Sequence, residues 1–239
     1  AIKFFKLNSL ILIINHKSMK KFILLTITSV YFSNAQSIHT YNFKVDPGTE
    51  SSVGNLFSEY HGKYKRKSGG VTLQRVRFLD GVTHRIMVYG NPKDWGYEEK
   101  RPQMAWQAYL RGMSSLRSPA KGSYTAKSMY WKGGDRDKYK VGRQWLFKAK
   151  DPSKYASAYV KFAKAIEPMI GERMMGVGKI EMGDLGGATH YTVFYGESMQ
   201  DLEIMADKIR ASKAYQEFVK TNGGSEILVS YMVTDLIRK

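Results

Sequence analysis

Thr83-His84-Arg85-Ile86-Met87-Val88-Tyr89-Gly90 returns 106 residues later as Thr189-His190-Tyr191-Thr192-Val193-Phe194-Tyr195-Gly196. In each copy a Thr-His pair opens an apolar run of strand character and a Tyr-Gly pair closes it. A polar helix-start segment comes next each time, Asn91-Pro92-Lys93-Asp94 in one case and Glu197-Ser198-Met199-Gln200 in the other. The chain therefore reads as two copies of one unit, and the elements around the two stretches can be compared.

Before the first stretch, Ile38 to Val45 alternates apolar and polar residues with the period of a strand, and Asp46-Pro47-Gly48 ends it. Val53, Leu56, Phe57, Tyr60 and Tyr64 then fall on one helical face, closed by Ser68-Gly69-Gly70. Val71 to Leu79 and Val82 to Tyr89 flank Asp80-Gly81, which predicts a hairpin with a type I′ turn. After Asn91-Pro92 a helix is expected with breaks at Gly96 and Pro102, resuming over Gln103 to Met113, and Ser123 to Trp131 reads as a last strand. The order is β-α-β-β-α-β. Residues 133–142, led by Gly133-Gly134-Asp135, read as the linker.

The second unit repeats the order. Gln144 to Ala149 reads as a strand, Asp151-Pro152-Ser153 starts a helix with the stripe Tyr155, Tyr159, Phe162, Ile166 and Met169, and Met174 to Met182 with Ala188 to Tyr195 reads as a hairpin. Ser198-x-x-Asp201 has the form of a capping box with Asp in the usual Glu position. A further helical piece, Ser212 to Val219, precedes the closing strand, Ile227 to Ile237. The division is residues 38–132 for the first unit and 143–239 for the second.

Ahead of these units, Met19-Lys20-Lys21, the apolar run Phe22 to Phe32 and Ser33-Asn34-Ala35 have the three parts of a secretory signal peptide over residues 19–35. The apolar run is too short for a bilayer, which needs about 20 residues. Residues 1–18 read as a non-native upstream extension, and the expected location is periplasmic or secreted. Residues 1–35 carry five lysines and no acid, so net charge falls from +17 to about +12 without them. That balance favours acidic partners by long-range attraction. However, the densest run, Lys63-Tyr64-Lys65-Arg66-Lys67, lies at a helix end where cations ordinarily face solvent, and no nucleic-acid motif accompanies it. With no cysteine, thiol catalysis, iron–sulfur clusters and thiolate zinc sites are excluded.

A β-α-β-β-α-β unit is ferredoxin-like. Two in tandem, each with an extra helical piece, and segments such as Lys213-Ala214-Tyr215-Gln216-Glu217-Phe218 resemble the dimeric α/β-barrel superfamily, in particular its two-repeat, NIPSNAP-type members. The resemblance implies an α+β fold in which two ferredoxin-like sheets face each other as a barrel, either within one chain or between chains by self-association through the sheet face, with small-molecule sites between a sheet and its helices. The superfamily includes haem-degrading and quinone-forming monooxygenases. The haem-degrading pattern has an asparagine on the first strand, a tryptophan on a helix and an axial histidine some ten residues on. Asn42 and Trp106 match the first two, but that third position falls near Leu116 and no histidine lies between His84 and His190. Haem is not expected, and neither is any other cofactor.

His84 and His190 occupy equivalent strand positions, His84 with Ile86 and Val88 on one face. Each could act as a base or a single metal ligand, yet neither has a second ligand at a useful spacing, so no metal site is expected. Gly176-Val177-Gly178 is followed by strand-like residues, which excludes a phosphate loop. No catalytic pair can be assembled. The interrupted helix of the first unit leaves room on its sheet, so a ligand-binding site is expected there, near His84, Tyr89, Trp95 and Trp106. Two functions fit this pattern: an exported protein binding a small apolar or aromatic ligand or an acidic partner, or a cofactor-independent enzyme of monooxygenase or isomerase type.

Overall fold

The computed structural model describes residues 36–183 and 185–239. The signal peptide and the upstream extension lie outside the described residues. Nine strands and five α-helices succeed one another in chain order among the described residues: β1 Ser37–Val45, α1 Glu50–Gly62, β2 Gly70–Arg77, β3 His84–Gly90, α2 Gln103–Ser114, β4 Arg117–Pro119, β5 Tyr124–Lys132, β6 Val141–Ala149, α3 Pro152–Ile170, β7 Met175–Gly183, β8 His190–Gly196, α4 Met199–Ala211, α5 Lys213–Thr221 and β9 Ser225–Arg238. The fold is α+β with one large antiparallel sheet.

The strands pair in the order β3-β2-β9-β6-β8-β7-β5-β1, and β1 pairs again with β3. Eight strands thus close into a barrel, with no free edge in the ring. The short β4 adds to β1 through Val45 and Arg117. Within the first half the neighbours run β5-β1-β3-β2, and within the second β9-β6-β8-β7; β2–β9 and β5–β7 join the halves.

The starts of α3 and α4 obey their local chemistry. Asp151 accepts the Lys154 N–H at 3.0 Å ahead of α3, Ser198 accepts the Asp201 N–H at 3.1 Å ahead of α4, and Asp201 reaches back to the Glu197 N–H at 3.0 Å. The apolar stripe of α1 (Val53, Phe57, Tyr60) and Tyr109 and Met113 of α2 bury against Phe43, Val71 and Leu73. The stripe of α3 buries against Phe147, Met175, Val177 and Phe194, joined by Leu202 and Met205 of α4. A third core fills the barrel interior, with Tyr124, Leu146, Tyr191, Val193, Tyr195, Tyr231 and Val233 among its members.

Two local expectations are corrected. The β2–β3 connection spans residues 78–83 rather than two residues, and Asp80 does not take positive φ, so the turn is not type I′. Phe78 adopts φ 62° instead, and the turn closes through the Val82 N–H to Leu79 O at 3.2 Å, with Gly81 at φ 69°. Second, β6 begins at Val141, inside the segment read as linker, because Gly142 is a barrel residue: a Cβ there would lie 3.0 Å from the Tyr195 ring.

Candidate functional site

Strand alternation splits the repeated stretch between two environments. His84, Ile86 and Val88 face the helices, while Arg85, Met87 and Tyr89 face the barrel interior. In the second half His190 and Phe194 face the helices, and Tyr191, Val193 and Tyr195 face inward. The Thr-His pairs have one geometry in both places. Thr83 Oγ1 accepts the Val45 N–H at 2.8 Å and touches His84 Nδ1 at 3.0 Å; Thr189 Oγ1 accepts the Ala149 N–H at 3.1 Å and touches His190 Nδ1 at 2.8 Å. His84 stacks on Phe43, and His190 on Phe147. Burial, then the positive charges of Arg75 and Lys179 respectively, lowers the pKa of each imidazole. The pairs are clips fastening β3 to β1 and β8 to β6.

The inward face carries the chemistry. A cavity of about 70 Å³ lies inside the barrel, walled by Ile38, Met87, Trp131, Met174 and Val193 on its apolar sides and by Arg85, Arg136, Gln144, Ser128 and the phenols of Tyr89, Tyr124, Tyr191 and Tyr195. Arg85 is 2% exposed. Its Nε donates to Gln74 Oε1 at 2.5 Å, and its Nη1 donates to Gln144 Oε1 at 2.8 Å and Tyr231 OH at 3.0 Å. Gln144 in turn donates to the Tyr124 hydroxyl. Gln74 Nε2 donates to Asp235 Oδ1 at 2.5 Å. Asp235, itself buried, faces Arg136 at 3.7 Å and Arg238 at 3.9 Å, and Arg136 also donates to the Tyr89 hydroxyl. Burial works against the Arg85 charge, but the surrounding phenols, with Tyr231 foremost, and Asp235 outweigh it and raise its pKa. Burial pushes the phenols of Tyr191, Tyr195 and Tyr231 well above their usual range, so they stay neutral, with Tyr231 accepting from Arg85 and Tyr195 from Gln74.

Register explains why the two halves differ inside. Arg85 pairs with Gln74 across β2–β3, and Tyr191 pairs with Gly178 across β7–β8. A Cβ at Gly178 would lie 2.3 Å from the Tyr191 ring, and one at Gly176 would lie 2.4 Å from the Trp131 ring. The glycines of the Gly-Val-Gly run are spaces for aromatic rings. At equivalent strand positions the first half places a guanidinium inside, Arg85, and the second a ring, Tyr191.

Of the four residues expected to form a site, only Tyr89 lines this cavity. His84 is on the helix side. Trp95 lies against His39 at 4.7 Å between ring centroids, with Arg66 5.1 Å from its ring. Trp106 packs on α2 among Tyr60, Tyr109 and Arg101. The space expected beneath the broken helix is occupied by these rings, with Arg101 3.9 Å from the Tyr97 ring. Sequence reasoning favours the histidines and passes over Arg85, Gln74, Gln144 and Asp235. One signal exists in the sequence: Arg85 is the charged residue of an otherwise apolar strand, at the place where the second copy has Tyr191.

Haem does not fit the described residues. The only histidines among them are His39, His61, His84 and His190. The barrel cavity is far too small for a macrocycle and none of the four lines it. His61 is packed against Phe57, Tyr60 and Tyr109, and His190 against Phe147 and Tyr155. Among the described residues no group of three or more His, Asp or Glu could hold a metal ion, and no helix is long and apolar enough to cross a membrane.

No family model and no curated protein matches this chain. Solved structures do. A monooxygenase-type protein from Fusobacterium nucleatum superposes with a TM-score of 0.54 at 10% identity, over 87% of this chain and 95% of the other. A mutant chlorite dismutase from Candidatus Nitrospira defluvii, in complex with cyanide, gives 0.52 at 12% identity over 88% and 94%. An anthrone oxidase-like protein gives 0.50 at 13% identity over 87% and 94%. At such identities the likeness concerns the fold alone: this chain has a mixed α+β fold with one large antiparallel sheet that matches these ferredoxin-like α/β-barrel structures.

Proposed function

We propose that the chain is a binding protein whose barrel interior takes one small, partly aromatic ligand through the opening beside Tyr89 and Trp131. One observation carries this reading: two arginines, the buried Arg85 and Arg136 with its Nε buried and without an acceptor among the described residues, border a cavity inside the barrel. A core built only for packing would fill this space, as Tyr191 does above Gly178. Ligand pockets combine apolar walls with a few convergent polar groups, which is the composition found here. The test is native mass spectrometry of the purified protein beside a Ser128→Phe variant, whose ring would enter the cavity. A small molecule carried by the first and absent from the second supports the reading; identical masses for the bare chain in both would overturn it.

A cofactor-independent oxygenase is the second reading, favoured by the guanidinium, which would stabilise an enolate or phenolate as charge develops. Anthrone, an enolisable aromatic, is the natural probe given the anthrone oxidase-like fold neighbour. Binding is preferred because no histidine or carboxylate lines the cavity among the described residues to serve as base. Oxygen uptake with anthrone that disappears in Arg85→Met would reverse the preference.

Origin and location belong to the same reading. Matching registers, Phe43 with His84 and Phe147 with His190, support duplication of one ferredoxin-like unit and kinship with two-repeat, NIPSNAP-type proteins. Export rests on the residue pattern over Met19 to Ala35 alone, and amino-terminal sequencing of the protein in its final location tests it.

A further inference from the structure

We propose that the ligand of the barrel is a small monocarboxylate, its charged group held at Arg85 and its body lying toward Met87 and Trp131. This rests on the barrel interior being the binding site and adds the class of molecule. Charge balance inside the barrel selects that class. Among the described residues the cavity wall contains two arginines and no acid. The nearest buried carboxylate, Asp235, already faces Arg136 and Arg238 and accepts a hydrogen bond from Gln74. Arg85 is bonded to Gln74, Gln144 and Tyr231, all neutral. It is therefore a buried cation whose direct hydrogen-bond partners are all neutral, with Asp235 acting on it only through Gln74, so an anion in the cavity would be its first direct ion-pair partner.

A second donor points the same way. Arg136 Nε is buried without an acceptor, although its guanidinium also bonds the Tyr89 hydroxyl and faces Asp235. The two arginines thus bring two guanidinium charges, and the unpartnered Nε of Arg136, to one small space. Guanidinium groups match planar oxyanions in geometry and in charge. The size of the space excludes anything larger than a head group: about 70 Å³ takes a carboxylate and a few neighbouring atoms. The remainder of the ligand must lie at the mouth, where Trp131 is 42% exposed and offers a ring face. The position equivalent to Arg85 in the second half is Tyr191 over Gly178, so one site per chain is expected.

Arg85 also bridges the halves, since Gln74 belongs to the first and Gln144 and Tyr231 to the second. A purely structural cross-link would show its loss in stability and show no preference for charge in a ligand. The experiment is calorimetric titration of the full chain with benzoate and acetate, each beside its neutral isostere, benzamide and acetamide. Benzoate should bind at least tenfold tighter than benzamide, and acetate should compete with it. Arg85→Met should abolish that preference, and Arg85→Lys should retain part of it. The wild-type comparison decides the matter even if Arg85→Met fails to fold. Equal binding of benzoate and benzamide, both blocked by Ser128→Phe, would overturn the carboxylate assignment and leave the barrel as the site. Benzoate binding indifferent to both Ser128→Phe and Arg85→Met would overturn the two together, and absence of binding by either acid would overturn the assignment.

Discussion

A threonine side chain at the start of β3 and another at the start of β8 each accept a backbone N–H from the end of a neighbouring strand, and this local bond accounts for the repeated Thr-His pair. Thr189→Val removes the acceptor for the half-buried Ala149 N–H. A loss of about 1–3 kcal/mol is expected, read from the urea midpoint, and Thr83→Val should lose a similar amount because Val45 is held in the same way. His61 carries the clearest pH dependence. Burial, then the positive charges of Arg101 and Arg66, lowers its pKa to about 4. Below the usual 6.5 the unfolded chain takes up this proton and the folded chain does not. Stability is therefore complete above pH 6.5 and declines as the pH falls toward 4, by roughly 3 kcal/mol at most. His61→Phe keeps the ring packed between Phe57 and Tyr109 and should flatten the fall in melting temperature across that window. An unchanged slope would show that His61 is not its source.

At the scale of strands, glycine decides what the barrel can enclose. Gly176 and Gly178 lie under the rings of Trp131 and Tyr191, with no room for a methyl group. Gly178→Ala should cost about 1–3 kcal/mol by overpacking. It should also displace the Tyr191 ring toward the cavity it lines, reducing ligand binding, whereas an alanine at Gly133, where a Cβ meets nothing within 4 Å, should do neither. Denaturation and titration of the two variants side by side check both statements. These elements were legible in part. The periods of α1 and α3, the capping of α4 and the glycine ends of the strands identify their positions from local residues, because capping and amphipathicity act within a few residues. The role of the Gly-Val-Gly run was not legible, since the rings above it come from β5 and β8.

At the scale of the molecule, the two halves share their hydrogen bonding through β2–β9 and β5–β7. Expressed separately, residues 36–132 and 141–239 would each present two bare strand edges and one uncovered sheet face. Each should self-associate or aggregate, and mixing them should restore a cooperative melt; size-exclusion chromatography and calorimetry report this. Two separately stable monomers would show that the ring is not a cooperative unit.

By itself the sequence determined the α+β class and most of the helix and strand positions, because these arise from periodicity and from local turn and cap chemistry; that the sheets form a barrel came from the family resemblance, and that the barrel closes within one chain only the structure decided. The sequence could not decide which face of the repeated stretch mattered. His84 and Arg85 are adjacent in the chain and point to opposite sides of the sheet, and alternation separates them without saying which side is filled. The aromatic layer of Tyr60, Tyr97, Trp106 and Tyr109 fills one side. Only the tertiary structure brings Arg85 together with Gln74, Gln144, Tyr231 and Asp235 on the other, from four strands up to 161 residues apart, since the meeting of buried polar groups depends on barrel closure and register, which no local pattern encodes.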